Sequence, residues 1–230
     1  MTPVLLGTLL LSGLFAGFVH VVSGPDHLAA IAPYAVDAKA RAWRTGVRWG
    51  FGHSAGVIGV GLLALLLRDV LSIDLVSAWG ERFVGVVLIA IGAWGMRAAV
   101  TNRAVPGNHA DRKLREHKHE HPAFAVGTVH GLAGSSHLLG VVPALALPSD
   151  TAAAAYLIVF GVGSIAGMGL FSSLIGWITL RLGMIGTKAQ STLLALFSAI
   201  AIVIGATWLL SASASARNVS ISEPLAFTSH

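Results

Sequence analysis

Residues 20–33 read HVVSGPDHLAAIAP and set His20, Asp26 and His27 inside an apolar run that begins near Val4. A carboxylate at the centre of a membrane helix costs roughly 2.5 to 3.5 kcal/mol on insertion scales, so an ionisable group there pairs with another, lines a cavity or binds an ion. The chain has no cysteine, which removes thiolate ligation, disulfides and CxxC redox chemistry together. A metal site must then use nitrogen and oxygen. That donor set suits Ni²⁺, Co²⁺, Zn²⁺, Cu²⁺ or Fe²⁺ and disfavours Cu⁺.

The same pattern occurs twice. HVVSGPDHLAAIAP aligns without gaps on HGLAGSSHLLGVVP at 130–143, setting His20 on His130, Gly24 on Gly134, His27 on His137, Leu28 on Leu138 and Pro33 on Pro143. With one residue of slip, GFGHSAG at 50–56 meets GVGSIAG at 161–167, and IGAW at 91–94 resembles IGATW at 204–208. His53 therefore has Ser164 as its counterpart. The expected site is pseudo-symmetric with unequal ligands: His20, Asp26, His27 and His53 from the first half, His130 and His137 from the second.

On an unbroken helix His20 and His27 share a face but stand about 10 Å apart along the axis, too far to hold one ion. The helix must break between them. Ser23-Gly24-Pro25 supplies the break, because proline lacks an N–H and clashes with the preceding turn, and glycine weakens the helix further. Gly131, Gly134, Ser135 and Ser136 loosen the second copy.

The elements that carry these residues follow from composition. Of 230 residues, 55% are hydrophobic and 11% charged, against about a quarter charged in soluble domains. Apolar runs recur at lengths that cross a ~30 Å hydrocarbon layer. They lack the alternation of barrel strands, so helices are expected. Six spans fit, at about 4–35, 46–67, 79–100, 124–148, 152–179 and 189–210. Three spans per repeat is an odd number, so the second copy enters the membrane the other way up. The expected fold is all-α: a polytopic membrane protein of six transmembrane helices in two inverted three-helix repeats.

One membrane domain, 1–230, is expected: repeat one to about residue 100, a His-rich loop at about 101–123, repeat two at about 124–212, and a short tail at 213–230. The N-terminus has no basic region and no small-residue cleavage signal, so the first helix is expected to stay. Lys39, Arg41, Arg44 and Arg48, then Arg97, Arg103, Arg112, Lys113, Arg115 and Lys118, then Arg181 and Lys188 fall on one side; Arg68, Arg82 and Arg217 fall on the other. The positive-inside rule makes the crowded side cytoplasmic and puts both termini outside a cell membrane. The net charge of +5 and pI near 10.2 are then a topology signal, and no nucleic-acid partner is expected. The expected partners are the lipid bilayer and a metal ion; no motif specifies an oligomeric state.

Other residues carry less. The loop histidines His109, His117, His119 and His121 admit two readings, loose metal contact or a solvated connector. Gly161, Gly163, Gly167 and Gly169 read as helix-packing surface. Trp43, Trp49, Trp79 and Trp177 read as interface anchors. Three functions remain open at this level: a metal-ion permease, a membrane metalloenzyme (di-iron or bis-His haem), and a proton-coupled permease for a non-metal substrate.

HVVSGPDHLAAIAP, FGHSAG and HGLAGSSHLLG resemble the motifs of the nickel/cobalt transporter family (NicO and NiCoT type), in particular its shorter six-helix members related to urease-accessory permeases. The likeness spans most of residues 13–210. It implies a permease for Ni²⁺ and Co²⁺ that is not an enzyme and holds no permanent cofactor, with the metal ion as transported substrate. It also implies metal recognition by His20, Asp26 and His27, with His53 as the histidine of the family's GHS element. Five residues separate His20 from Asp26 where the family motif has four, which ranks His20 below Asp26 and His27. The family holds importers and exporters, so the resemblance fixes no direction.

Overall fold

The computed structural model describes residues 3–67, 73–104, 120–133, 142–144 and 146–221. Among them every regular element is helical: α1 (Pro3–Ser23), α2 (Pro25–Ala38), α3 (Ala42–Leu67), α4 (Ile73–Ala104), α5 (Glu120–Ala133), α6 (Asp150–Gly183) and α7 (Thr187–Ile221), with a 3-10 turn at Lys39–Arg41.

Among the described residues four stretches are long and apolar enough to cross a membrane, Val4–Ser23, Arg82–Thr101, Asp150–Gly183 and Thr187–Ser211, and Ala123–Leu132 forms a shorter apolar helix. Large apolar side chains such as Leu11, Phe15, Leu170 and Val203 stay uncovered on these helices. Contiguous apolar surface on this scale marks contact with lipid or another apolar partner. The chain is an all-helical membrane protein.

Two boundaries differ from the sequence expectation, and a third falls partly outside the described residues. The stretch 4–35 is two helices, because Pro25 and the extended Gly24 interrupt the ladder. Of the span expected at 124–148, the helix is described to Ala133, and residues 134–141, His137 among them, lie outside the described residues. The tail expected from 213 is helical to Ile221, since SASASARNVSI contains neither glycine nor proline to stop a helix.

Glycines set how closely the helices approach. An added Cβ on Gly13 would meet Tyr156 and one on Gly17 the backbone of Phe160, so α1 and α6 run side by side in the same direction. Gly127 faces the backbone of Trp49 and Gly131 that of His53, so α5 and α3 also run parallel. Gly50 lies against Ile165, and Ser54 Oγ donates to Gly161 O at 3.0 Å, which makes α3 and α6 antiparallel. Gly85 and Gly205 face each other, and Gly92 faces Ser198, between α4 and α7. Small residues let backbones meet in a membrane, where no hydrophobic force drives helices together. The α6 glycines behave as the sequence leads one to expect: Gly163 takes Leu14 and Phe18, Gly167 takes Val21, and Gly169 takes Val47.

Among the described residues, buried apolar side chains form three clusters. One holds Val21, Ile31, Trp49, Leu88 and Met168. A second holds Val57, Tyr156, Leu157 and Phe160, and a third joins Val36, Ala42, Ile175 and Leu194. Near the third, Lys39 Nζ donates to Gln190 Oε1 at 3.0 Å, and Gln190 Nε2 donates to Thr179 O at 3.2 Å. These bonds tie the end of α2 to α6 and α7.

Candidate metal centre

The break at Gly24 creates the site. The last bond of α1 runs from Gly24 N–H to His20 O at 3.1 Å, and the first of α2 from Leu28 N–H to Gly24 O at 3.2 Å. Between them Gly24 is extended (φ −82°, ψ 106°), and Pro25 occupies the first helical turn, where its missing N–H costs nothing. Gly24 is needed for space: a Cβ there would collide with the His27 ring and come 3.1 Å from Asp26 Oδ1. Asp26 lies in the first turn of α2, where the amide dipoles favour a negative charge.

Asp26 uses both of its oxygens. Oδ1 stands 3.0 Å from His27 Nδ1 and Oδ2 stands 3.1 Å from His130 Nε2 on α5. A carboxylate only accepts, so the facing nitrogens carry the protons. That leaves His27 Nε2 and His130 Nδ1 as the lone-pair atoms. A carboxylate that fixes the tautomer and ring direction of a ligating histidine is the usual support around a protein-bound metal.

His20, at the end of α1, folds back toward His27 with ring centroids 4.6 Å apart. His53 on α3 lies 5.6 Å from His20, 4.8 Å from His27 and 6.1 Å from His130. Gly52, Gly56, Gly127 and Gly131 bring α3 and α5 close enough for this. Two groups of potential ligands result, His20/His27/His53 and Asp26/His27/His130, each offering atoms within 4.8 Å of one another. All five side chains are buried, with His20 the most exposed at 7%. Donors about 2.1 Å from an ion, a typical metal–imidazole distance, stand roughly 3 to 3.4 Å apart, so an ion would draw either group inward.

Five of the six sequence-expected residues therefore meet: His20, Asp26, His27, His53 and His130. The sixth, His137, lies outside the described residues, as do His109, His117 and His119.

Trp49 corrects the sequence reading. Trp43 and Trp177 are half exposed, as interface anchors should be, but Trp49 is completely buried. Its indole stacks on His53 at 5.0 Å and 13° and lies 5.4 Å from His130. It belongs to the apolar cluster of Val21, Leu88 and Met168. The signal was present, since residues four apart on a helix share a face, which puts Trp49 beside His53. Phe160, 5.3 Å from His20, is a second aromatic wall.

Fold and cluster together define an all-helical membrane protein with a buried nitrogen and oxygen centre. The chain is similar to two Arabidopsis thaliana proteins, Chloroplast protein FOR GROWTH AND FERTILITY 2 (42% identical over 173 residues, 72% of this chain and 46% of the relative) and Chloroplast protein FOR GROWTH AND FERTILITY 1 (40% over 178 residues, 72% and 48%). It spans about half the length of these relatives. It is also similar to Urease accessory protein UreH of Bacillus sp. (strain TB-90), 26% identical over 186 residues, 74% of this chain and 76% of the relative. No family model matches the chain, and no solved structure does.

Proposed function

We propose that the chain is a permease for divalent transition-metal ions, with Ni²⁺ and Co²⁺ as cargo, in which the His/Asp cluster is exposed alternately to the two sides of a membrane. The observation that carries this reading is the convergence of Asp26 with four histidines from α1, α2, α3 and α5 in a buried position. Such a donor set is costly to bury without a charge to balance it, and a divalent cation balances it. Similarity to UreH and the resemblance of the motifs point to the same class of cargo.

The reading includes six spans in two inverted repeats. Equivalent glycines make equivalent contacts: Gly52 against Phe124 and Thr128 matches Gly163 against Leu14 and Phe18, and Gly127 on Trp49 matches Gly17 on Phe160. Gly92 against Ser198 likewise matches Gly205 against Gly85. Since α1 parallels α6, α6 opposes α3 and α3 parallels α5, the first helices of the two halves point in opposite directions. Inverted halves of this kind expose a shared site to either side by rocking against each other. The basic loops face the cytoplasm and the termini face outside.

In this cycle Asp26 links the halves through His130 and orients His27, and the imidazoles replace part of the ion's water shell. Ligand nitrogens must be deprotonated to bind, so entry of an ion releases any protons they hold. Calorimetry of the purified protein with Ni²⁺ is the test. Binding that is lost in His27→Ala and weakened in Asp26→Asn supports the site; no binding to wild type, or equal binding to both variants, rejects it.

A further inference from the structure

Trp49 directly precedes the GFGHSAG block and Phe160 directly precedes GVGSIAG, so the two aromatics are repeat equivalents that the aligned motifs stop just short of. Both are buried, at 0% and 2% exposure, and both touch the cluster, Trp49 through His53 and Phe160 through His20.

They lie at different depths. Gly50 lies against Ile165 and Ser54 against Gly161, so each step forward on α3 is a step back on α6, and Phe160 stands level with Ala55. Trp49 is six residues lower, about 9 Å at ~1.5 Å per residue, and His53 falls between the two levels. Each aromatic also belongs to a different apolar cluster, Trp49 with Leu88 and Met168, Phe160 with Val57 and Tyr156. The polar centre is thus bounded by an apolar cluster on each side.

We infer that Trp49 and Phe160 are paired gates: Trp49 closes the cluster toward the face carrying Lys39, Arg41 and Arg44, and Phe160 closes it toward the face where α6 starts at Asp150. This rests on the permease reading, which requires access from two sides. In inverted halves equivalent residues exchange roles when the access side changes, so one gate swings clear while the other stays packed. The described state, with both aromatics buried, is closed on both sides.

The absence of cysteine makes the test clean. His53→Cys places a single thiol between the gates, and its reaction with a membrane-impermeant thiol reagent is timed from each face, in spheroplasts and in inverted vesicles. Adding Trp49→Ala is expected to raise the rate at least tenfold from the basic face alone, and Phe160→Ala at least tenfold from the opposite face alone. Opening from the wrong face, equal opening from both, or rates within twofold of His53→Cys alone overturns the proposal. Trp49→Leu and Phe160→Leu, which keep apolar bulk, decide the matter by the same face selectivity if an alanine variant fails to fold. The reaction needs no metal, so it separates the two claims. Face-selective opening in a protein that binds no Ni²⁺ removes the cargo and keeps the gates; Ni²⁺ transport without face selectivity removes the gates alone.

Discussion

Asp26 and His130, 104 residues apart in the chain, lie 3.1 Å apart through Oδ2 and Nε2, with both side chains buried. This contact joins α2 to α5, and the other oxygen of the same carboxylate holds His27. Among the described residues Asp26 is thereby the one acidic group that orients imidazoles from both halves. Asp26→Asn keeps the volume but loses the charge and one acceptor. Loss of such a supporting carboxylate typically costs about 10- to 100-fold in metal affinity, and titration calorimetry with Ni²⁺ should report a drop of that size with the fold intact.

Gly24 should tolerate no side chain. Its Cβ would enter the His27 ring and crowd Asp26, so Gly24→Ala is expected to abolish Ni²⁺ binding and to destabilise by roughly 1–3 kcal/mol, as overpacking does. Gly7→Ala is the matched control, since nothing lies within 4 Å of its Cβ. There alanine should raise the melting temperature slightly, because glycine in a helix costs about 0.5–1 kcal/mol relative to alanine. Thermal unfolding in detergent compares the two, and equal shifts would refute the steric account of Gly24.

Gly52→Ala and Gly163→Ala should lower the melting temperature by similar amounts. Each introduces a methyl into a facing backbone, at Phe124 and Leu14 respectively, a packing defect of roughly 1–3 kcal/mol. A large effect from one and none from the other would contradict equivalent packing in the two halves.

Trp49 gives the cluster an optical reporter. Its indole stacks on His53, so Ni²⁺ entering the centre should quench tryptophan emission, and Trp49→Phe should remove most of that quenching. Undiminished quenching in the variant would locate the ion elsewhere.

Much of this centre was legible in the chain. The ionisable residues in apolar runs named Asp26, His20, His27, His53 and His130, and Gly24-Pro25 announced the break that turns His20 back on His27. What periodicity could not supply was the division of labour inside the cluster. That Asp26 spends one oxygen on each of two histidines depends on α2 meeting α5 at His130, 104 residues along the chain, which is a property of packing between distant segments. Trp49 was misread because an aromatic near a basic helix end has the composition of an interface anchor; its burial comes from the His53 and His130 rings and the apolar cluster packed on it. The extension of α7 beyond residue 212 was missed because hydropathy marks where a helix leaves lipid, whereas the backbone continues until something breaks it.

The most direct test of the central claim is Ni²⁺ flux in proteoliposomes containing the purified chain, wild type beside His27→Ala. The permease reading predicts flux well above empty liposomes for wild type and at least a tenfold loss for His27→Ala at equal incorporation. Wild-type flux no greater than that of empty liposomes, or an undiminished rate in His27→Ala, would contradict it.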